Sequence, residues 1–264
     1  MENITTVQKI AEKALRVVGN IKGALQELSV KGAEVPKGAN SDNLRELIAG
    51  LPDKNTAETL DALVSRRITH IERDVDKIGD YTFRDCVALE SVSFPKAEQV
   101  GYRSFYGCLA LVSVNLPMAE TVDNYIFEMC TSLPTISLPL VNAVTNYMFQ
   151  DCQSLVWADL PKAASIGTYG FNRCYSLKRL ILRSETVCTV ANSNAFTKCY
   201  HLLGTVNADY NPGGLKDCYI YVPSALIDEY KVASIWSTHA AQFRALEEYT
   251  VDGTITGKLD ENKI

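Results

Sequence analysis

Ile78-Gly79-Asp80-Tyr81-Thr82-Phe83-Arg84-Asp85-Cys86-Val87-Ala88-Leu89-Glu90-Ser91-Val92-Ser93-Phe94-Pro95 is one copy of a pattern that returns every 22 residues. Its first Phe recurs as Phe105, Phe127, Phe149 and Phe171, and then, 25 residues later, as Phe196. Three residues after each Phe stands a cysteine: Cys86, Cys108, Cys130, Cys152, Cys174 and Cys199. Three further on stands a leucine: Leu89, Leu111, Leu133, Leu155, Leu177 and Leu202. Alternating apolar pairs follow: Val92 and Phe94, Val114 and Leu116, Ile136 and Leu138, Ala158 and Leu160, Leu180 and Leu182. Pro95, Pro117, Pro139 and Pro161 close four of them, and Ile78, Val100, Val122, Val144, Ile166 and Ala191 precede each Phe by five residues. A unit this short cannot bury its own apolar face, whereas a stack of such units shares one continuous core. The pattern therefore predicts an α+β repeat protein, a solenoid of about six 22-residue coils.

Local chemistry assigns each part of the unit. Residues 89 to 95 read as a short strand with Val92 and Phe94 inward, because alternate side chains share a face. Proline ends it, having no N–H for the ladder. A second extended stretch such as Gln99-Val100-Gly101 should form the opposite wall. The Phe-x-x-Cys-x-x-Leu segment should be a tight helical or 3₁₀ turn carrying Phe inside. With strands about 4.8 Å apart, six coils span roughly 29 Å.

Composition narrows the class of protein. The chain has 264 residues, 26 Lys+Arg against 31 Asp+Glu, a formal charge of −5 and 47% hydrophobic residues, an ordinary globular balance. The mild acidity argues against a nucleic-acid partner, which needs a basic stripe to displace phosphate counterions. Apolar runs fall far short of the ~20 residues a membrane helix requires, so no membrane insertion is expected. Met1-Glu2-Asn3-Ile4-Thr5-Thr6 lacks the basic and apolar regions of an export signal. Six of the eight cysteines share one repeat position, which favours a ladder of buried thiols acting as small hydrophobes. Disulfides between neighbouring coils and a metal site are the alternatives, although no histidine accompanies the ladder and the spacing is not that of zinc sites.

The 78–95 pattern resembles the BspA-like (Treponema-type) leucine-rich repeat over about residues 68 to 210. The resemblance implies a right-handed leucine-rich-repeat solenoid with the Leu-x-x-Val-x-Phe strands in one sheet, on bacterial surface proteins that bind host or extracellular partners. Cys218-Tyr219-Ile220-Tyr221-Val222-Pro223, with Leu226, Tyr230 and Trp236, resembles the end cap of such proteins. Three departures stand out: the last repeat is longer, Asn207 replaces a core leucine, and Arg183 replaces the fifth proline. The solenoid should therefore become irregular from about residue 183. The resulting division is a helical N-terminal module over 1–66, the solenoid over 67–210, a strand–helix cap over 211–250 and a polar tail over 251–264.

No catalytic constellation emerges, and no cofactor or metal is expected. His70, His201 and His239 are scattered, and Cys199 beside His201 is a ladder position pointing inward. No Gly-rich phosphate loop, paired-histidine motif or serine elbow occurs, and Gly213-Gly214 reads as a turn. Strand residues between the buried ones should face solvent: Ser91 and Ser93, Ser113 and Asn115, Thr135 and Ser137, Trp157 and Asp159, Arg179 and Ile181. The first three pairs are bland. Trp157, Asp159 and Arg179 in neighbouring registers have the composition of an interaction hot spot, unless Trp157 is covered by another part of the chain. Tyr81, Tyr125, Tyr147 and Tyr169 recur two residues before Phe and read as edge packing ahead of a ligand-stacking row.

Residues 1–66 have their own pattern. Ile4, Val7, Ala11, Ala14, Val18, Ile21, Leu25 and Leu28 follow heptad spacing, which suits either a coiled coil between chains or a helix folded onto the first coil. The module also resembles N-terminal segments of phage and prophage tail-associated proteins. The expected function is thus non-enzymatic recognition of a protein or glycan at a cell surface. The alternative is an assembly role in a phage tail, with the N-terminal helix as the homo-oligomerisation element. A cell-surface or virion-associated location fits both, and a cytoplasmic one stays open.

Overall fold

A computed structural model describes residues 68–203, 209 and 218–246. Each repeat forms two short parallel strands and a broad turn. One wall contains β1 (His70–Glu72), β3 (Ser91–Ser93), β5 (Ser113–Asn115), β7 (Thr135–Ser137), β9 (Trp157–Asp159) and β11 (Arg179–Ile181). The other contains β2 (Lys77–Ile78), β4 (Gln99–Val100), β6 (Thr121–Val122), β8 (Ala143–Val144), β10 (Ser165–Ile166) and β12 (Thr189–Val190). All pairings are parallel and in repeat register, such as Ile71 with Val92 and Val92 with Val114. One strand from each wall plus the turn that follows makes one coil, six among the described residues. The fold is a leucine-rich-repeat solenoid of the α+β class.

The core is the lining of this tube. Phe83, Phe105, Phe127, Phe149, Phe171 and Phe196 are at most 2% exposed. Their rings stack in sequence with centroids 5.2–5.7 Å apart. The ladder leucines and alternating strand residues pack around this spine. Two positions differ from the sequence reading. Ala191 is exposed, because the longer sixth coil brings Val190 into register with Ile166. Val114 and Val122 are only partly buried.

The Phe-x-x-Cys-x-x-Leu segment is tight and carries Phe inside, as expected, but in the first five coils it is not a continuous helical or 3₁₀ turn. It is a chain of tight turns, Cys86 N–H to Phe83 O and then Leu89 N–H to Cys86 O, interrupted by left-handed residues on both sides of Phe. Tyr81, Arg103, Tyr125, Tyr147 and Tyr169 precede Phe at positive φ, and Asp85, Met129, Asp151, Arg173 and Lys198 follow it. Gly107 takes this second position once and adopts it without the Cβ clash that makes the conformation costly. The compensation is backbone pairing between coils: the N–H groups of Tyr81, Phe83 and Asp85 donate to the carbonyls of Tyr102, Ser104 and Tyr106. Only the sixth coil has the short helices, a 3₁₀ turn at Ser193–Phe196 and α1 at Tyr200–Leu203.

The cysteine ladder is a hydrogen-bonded one. Sγ of Cys108, Cys130, Cys152, Cys174 and Cys199 donates to the carbonyl of the preceding coil's Phe at 2.8–3.3 Å. All eight cysteines are buried and none is in a disulfide. Burial raises the thiols of Cys130, Cys152 and Cys174 well above the ordinary range and pushes Cys188 up to about 12. Since the thiolate is the reactive form, the native protein should resist a thiol reagent at mildly alkaline pH and release eight reactive thiols on denaturation. Rapid native labelling of a ladder cysteine would contradict the packing.

Both walls are interrupted between the third and fourth coils: β1-β3-β5 and β2-β4-β6 end there, and β7 and β8 begin new sheets. On the first wall the cause is Pro134. Val112 N–H donates to Glu90 O and Val156 N–H to Pro134 O, but Pro134 has no N–H for Val112. Across this seam the turn edge stays paired: Tyr125, Phe127 and Met129 donate to Asn146, Met148 and Gln150.

The far end closes with β13 (Tyr219–Val222), α2 (Ile227–Val232), a 3₁₀ segment at Trp236–Gln242 and β14 (Phe243–Ala245). β13 pairs with β11 and β14 with β13, extending the first wall. Trp236 and His239 cover the last spine ring, Phe196, at 5.4 and 5.7 Å. Tyr230 Oη accepts from Cys188 N–H, and Trp236 Nε1–H donates to Cys188 O, so the cap grips both backbone groups of one residue. The helical module over 1–66, the turn at Gly213-Gly214, Asn207 and the 251–264 tail lie outside the described residues.

Candidate functional site

The strand face of the first wall carries the predicted patch. Trp157 lies opposite Arg179 on the neighbouring strand, and Arg179 lies opposite Tyr219. The next row out is Asp159, Ile181 and Tyr221, with Arg244 opposite Tyr221. The Arg244 guanidinium stands over the Tyr219 ring, 4.4 Å from its centroid. The register thus brings Trp157, Asp159 and Arg179 together and adds Tyr219 and Arg244 from the cap.

Exposure differs from the sequence reading. Trp157 and Arg179 are half-buried. Asp159 and Ile181, expected in solvent, are 9% and 1% exposed. Asp159 is held by Arg183, Nη2 to Oδ2 at 3.2 Å. Burial raises the Asp159 carboxyl above the usual carboxylate range, and the Arg183 charge opposes it. Arg183 occupies the position that other coils give to proline, so the departure noted in the sequence has a local purpose in neutralising Asp159. Four polar atoms here are buried without a hydrogen-bond partner: Trp157 Nε1, Asp159 Oδ1, Arg179 Nε and Arg183 Nε. Among the described residues Arg179 has no ion-pair partner. By contrast β3, β5 and β7 present small hydroxyl and amide groups, and β1 presents His70 and Glu72.

The turn edge is a second aromatic surface. Tyr81, Tyr102, Tyr125, Tyr147 and Tyr169 form a continuous row with centroids 4.5–5.4 Å apart. Arg103 fills the tyrosine position of the second coil and lies over the rings of Tyr102, Tyr106 and Tyr125. The faces of these rings are largely taken by one another and by arginine, which supports edge packing over ligand stacking. Beneath them Glu128 is buried, accepts from Gln150 Nε2 at 2.9 Å, and has a carboxyl raised by burial against the opposing Arg103 charge. Sequence reading missed Tyr102, Tyr106 and Arg103 in this row, because the second coil shifts its tyrosine by one residue. The signal was Arg103 standing where the other coils have Tyr.

Elsewhere the second wall holds a shallow groove of about 340 Å³ floored by small residues such as Thr145, Ser165 and Thr189, with no charged side chain in its lining. Among the described residues no group of His, Cys, Asp or Glu is placed to hold a metal ion. No described helix is long and apolar enough to cross a membrane.

Repeat geometry and sequence agree on the family. The model of the BspA type leucine rich repeat region matches in six copies over residues 65–140 and 120–207, and the chain belongs to this family. A leucine rich cell surface protein from Faecalibacterium prausnitzii A2-165 is 25% identical, with a TM-score of 0.45, covering 50% of this chain and 37% of that one. The Treponema pallidum leucine rich repeat protein is 21% identical, with a TM-score of 0.34, covering 50% and 71%. The pneumococcal vaccine antigen PcpA is 13% identical, with a TM-score of 0.30, covering 68% and 40%. The chain spans well under half the length of the Faecalibacterium protein. No curated protein matches.

Proposed function

We propose that this protein is a non-enzymatic recognition module that binds a partner at a cell surface through the strand face centred on Trp157, Asp159 and Arg179. The observation that supports this most is the in-register row Trp157–Arg179–Tyr219 with an unpaired guanidinium in its middle. Buried aromatics and arginine dominate binding energy at protein interfaces. A solenoid whose core is already stacked presents this row preformed, so little ordering entropy is lost on association. Family membership and the cell-surface description of the Faecalibacterium relative point the same way.

Binding of the full chain to glycan and extracellular-matrix arrays is the test. Trp157→Ala should weaken the strongest array signal by about tenfold or more, as expected of a hot spot, with the melting temperature little changed. Array binding that survives Trp157→Ala at full strength would remove the face from consideration. The phage-tail alternative rests on the N-terminal module, and deletion of residues 1–30 decides it. A stable oligomer falling to monomer on that deletion favours assembly, and an unchanged monomer favours recognition.

A further inference from the structure

Within the recognition reading, on which this step rests, the geometry points to the chemistry of the partner: an acidic polypeptide segment that places a side-chain carboxylate between Trp157 and Arg179. Three observations carry it. First, the patch has the opposite sign to the molecule. It carries three guanidiniums, Arg179, Arg183 and Arg244, and one carboxylate, Asp159, which pairs with Arg183, on a chain whose formal charge is −5. Screening limits the reach of distant charges to about 8 Å at physiological salt, so the local guanidiniums decide what binds here.

Second, the donors are unmatched. Asp159 is committed to Arg183 at 3.2 Å. Trp157 Nε1–H and Arg179 Nε–H, on neighbouring strands in register, have no acceptor. Unsatisfied buried donors are costly, and a carboxylate supplies two acceptor oxygens for two such N–H groups. The two donor atoms are themselves buried while the rest of each side chain is half-exposed, so binding requires a change of rotamer that brings them to the carboxylate. Third, Arg179 is bracketed by Trp157 and Tyr219, and Arg244 lies on the Tyr219 ring. Aromatic flanks exclude water around a charged hydrogen bond, which strengthens it. An arginine set among tryptophan and tyrosine is the composition of a protein-binding hot spot, which favours a polypeptide over a glycan.

A short fluorescent oligomer of L-glutamate, titrated with the full chain and followed by polarisation, tests this directly. Binding is expected, with a loss of about tenfold or more in Arg179→Gln and retention in Arg179→Lys, which keeps the charge. Quenching of Trp157 fluorescence on binding, absent in Trp157→Phe, places the oligomer at this face. Equal affinity of Arg179→Gln and the wild type would overturn the inference. So would preference for a hyaluronate oligomer, which shares the carboxylate but not the peptide. The parent reading fails differently: array binding lost in Trp157→Ala but unchanged in Arg179→Gln leaves recognition standing and removes the acidic partner, whereas array binding retained in both removes the site itself.

Discussion

Phe127→Ala is expected to destabilise the protein by about 3–5 kcal/mol, measured as a shift in the urea midpoint. The ring is 1% exposed and lies between Phe105 and Phe149, at 5.5 and 5.7 Å. Its position gives it more weight than its area. Both walls are interrupted between the third and fourth coils, so the backbone hydrogen bonds that join the two halves lie mainly along the turn edge. There Phe127 N–H donates to Met148 O, Cys152 Sγ donates to Phe127 O, and Tyr125 stacks on Tyr147 at 4.5 Å, the shortest spacing in the tyrosine row. Removing the ring leaves a cavity at this junction, and repeat proteins lose cooperativity when one interface weakens. The slope of the unfolding transition should therefore fall as well. A shift worth under about 1 kcal/mol would place Phe127 outside the core.

Trp236→Ala is expected to cost a similar amount, about 3–5 kcal/mol, by opening the end of the spine. Trp236 is 1% exposed and contacts Phe196, Tyr230 and Phe243 at ring separations of 5.4–5.9 Å. Its Nε1–H satisfies the carbonyl of Cys188. Trp236→Phe separates the two contributions: it keeps most of the ring but leaves that carbonyl without its donor, at about 1–3 kcal/mol. Hydrogen exchange should show the sixth coil, β12 above all, losing protection before the first. Uniform loss of protection would mean that the cap stabilises the whole stack at once and does not act as a local plug.

The position of the binding face follows from the same arrangement. In β13 and β14 the cap donates two strands to the first wall and sets Tyr219, Tyr221 and Arg244 beside Trp157 and Arg179. The bland face of the early coils and the aromatic, cationic face of the late ones are thus a difference between repeats of one backbone. The scaffold is repeated, and its chemistry is concentrated next to the cap.

The stack follows from the order of amino acids. A 22-residue recurrence of Phe, Cys and Leu with alternating apolar pairs leaves those side chains one dry place to go, because no single unit can enclose them. The thiol ladder, the two walls and the grouping of Trp157 with Arg179 were legible for that reason. How the turns and faces are finished depends on the folded arrangement. Left-handed residues on both sides of Phe replace a helical turn because backbone N–H groups there bond to the next coil, a partner about 21 residues away that local propensity does not register. Asp159 and Ile181 alternate as solvent-facing residues should, yet they are buried, Asp159 against a guanidinium 24 residues on and Ile181 in a row that ends in the cap strands. Pro134 was visible in the sequence, but that it interrupts a wall follows from which carbonyl lies opposite it. Periodicity fixes which side chains share an interior; what covers the outward ones depends on contacts between distant parts of the chain.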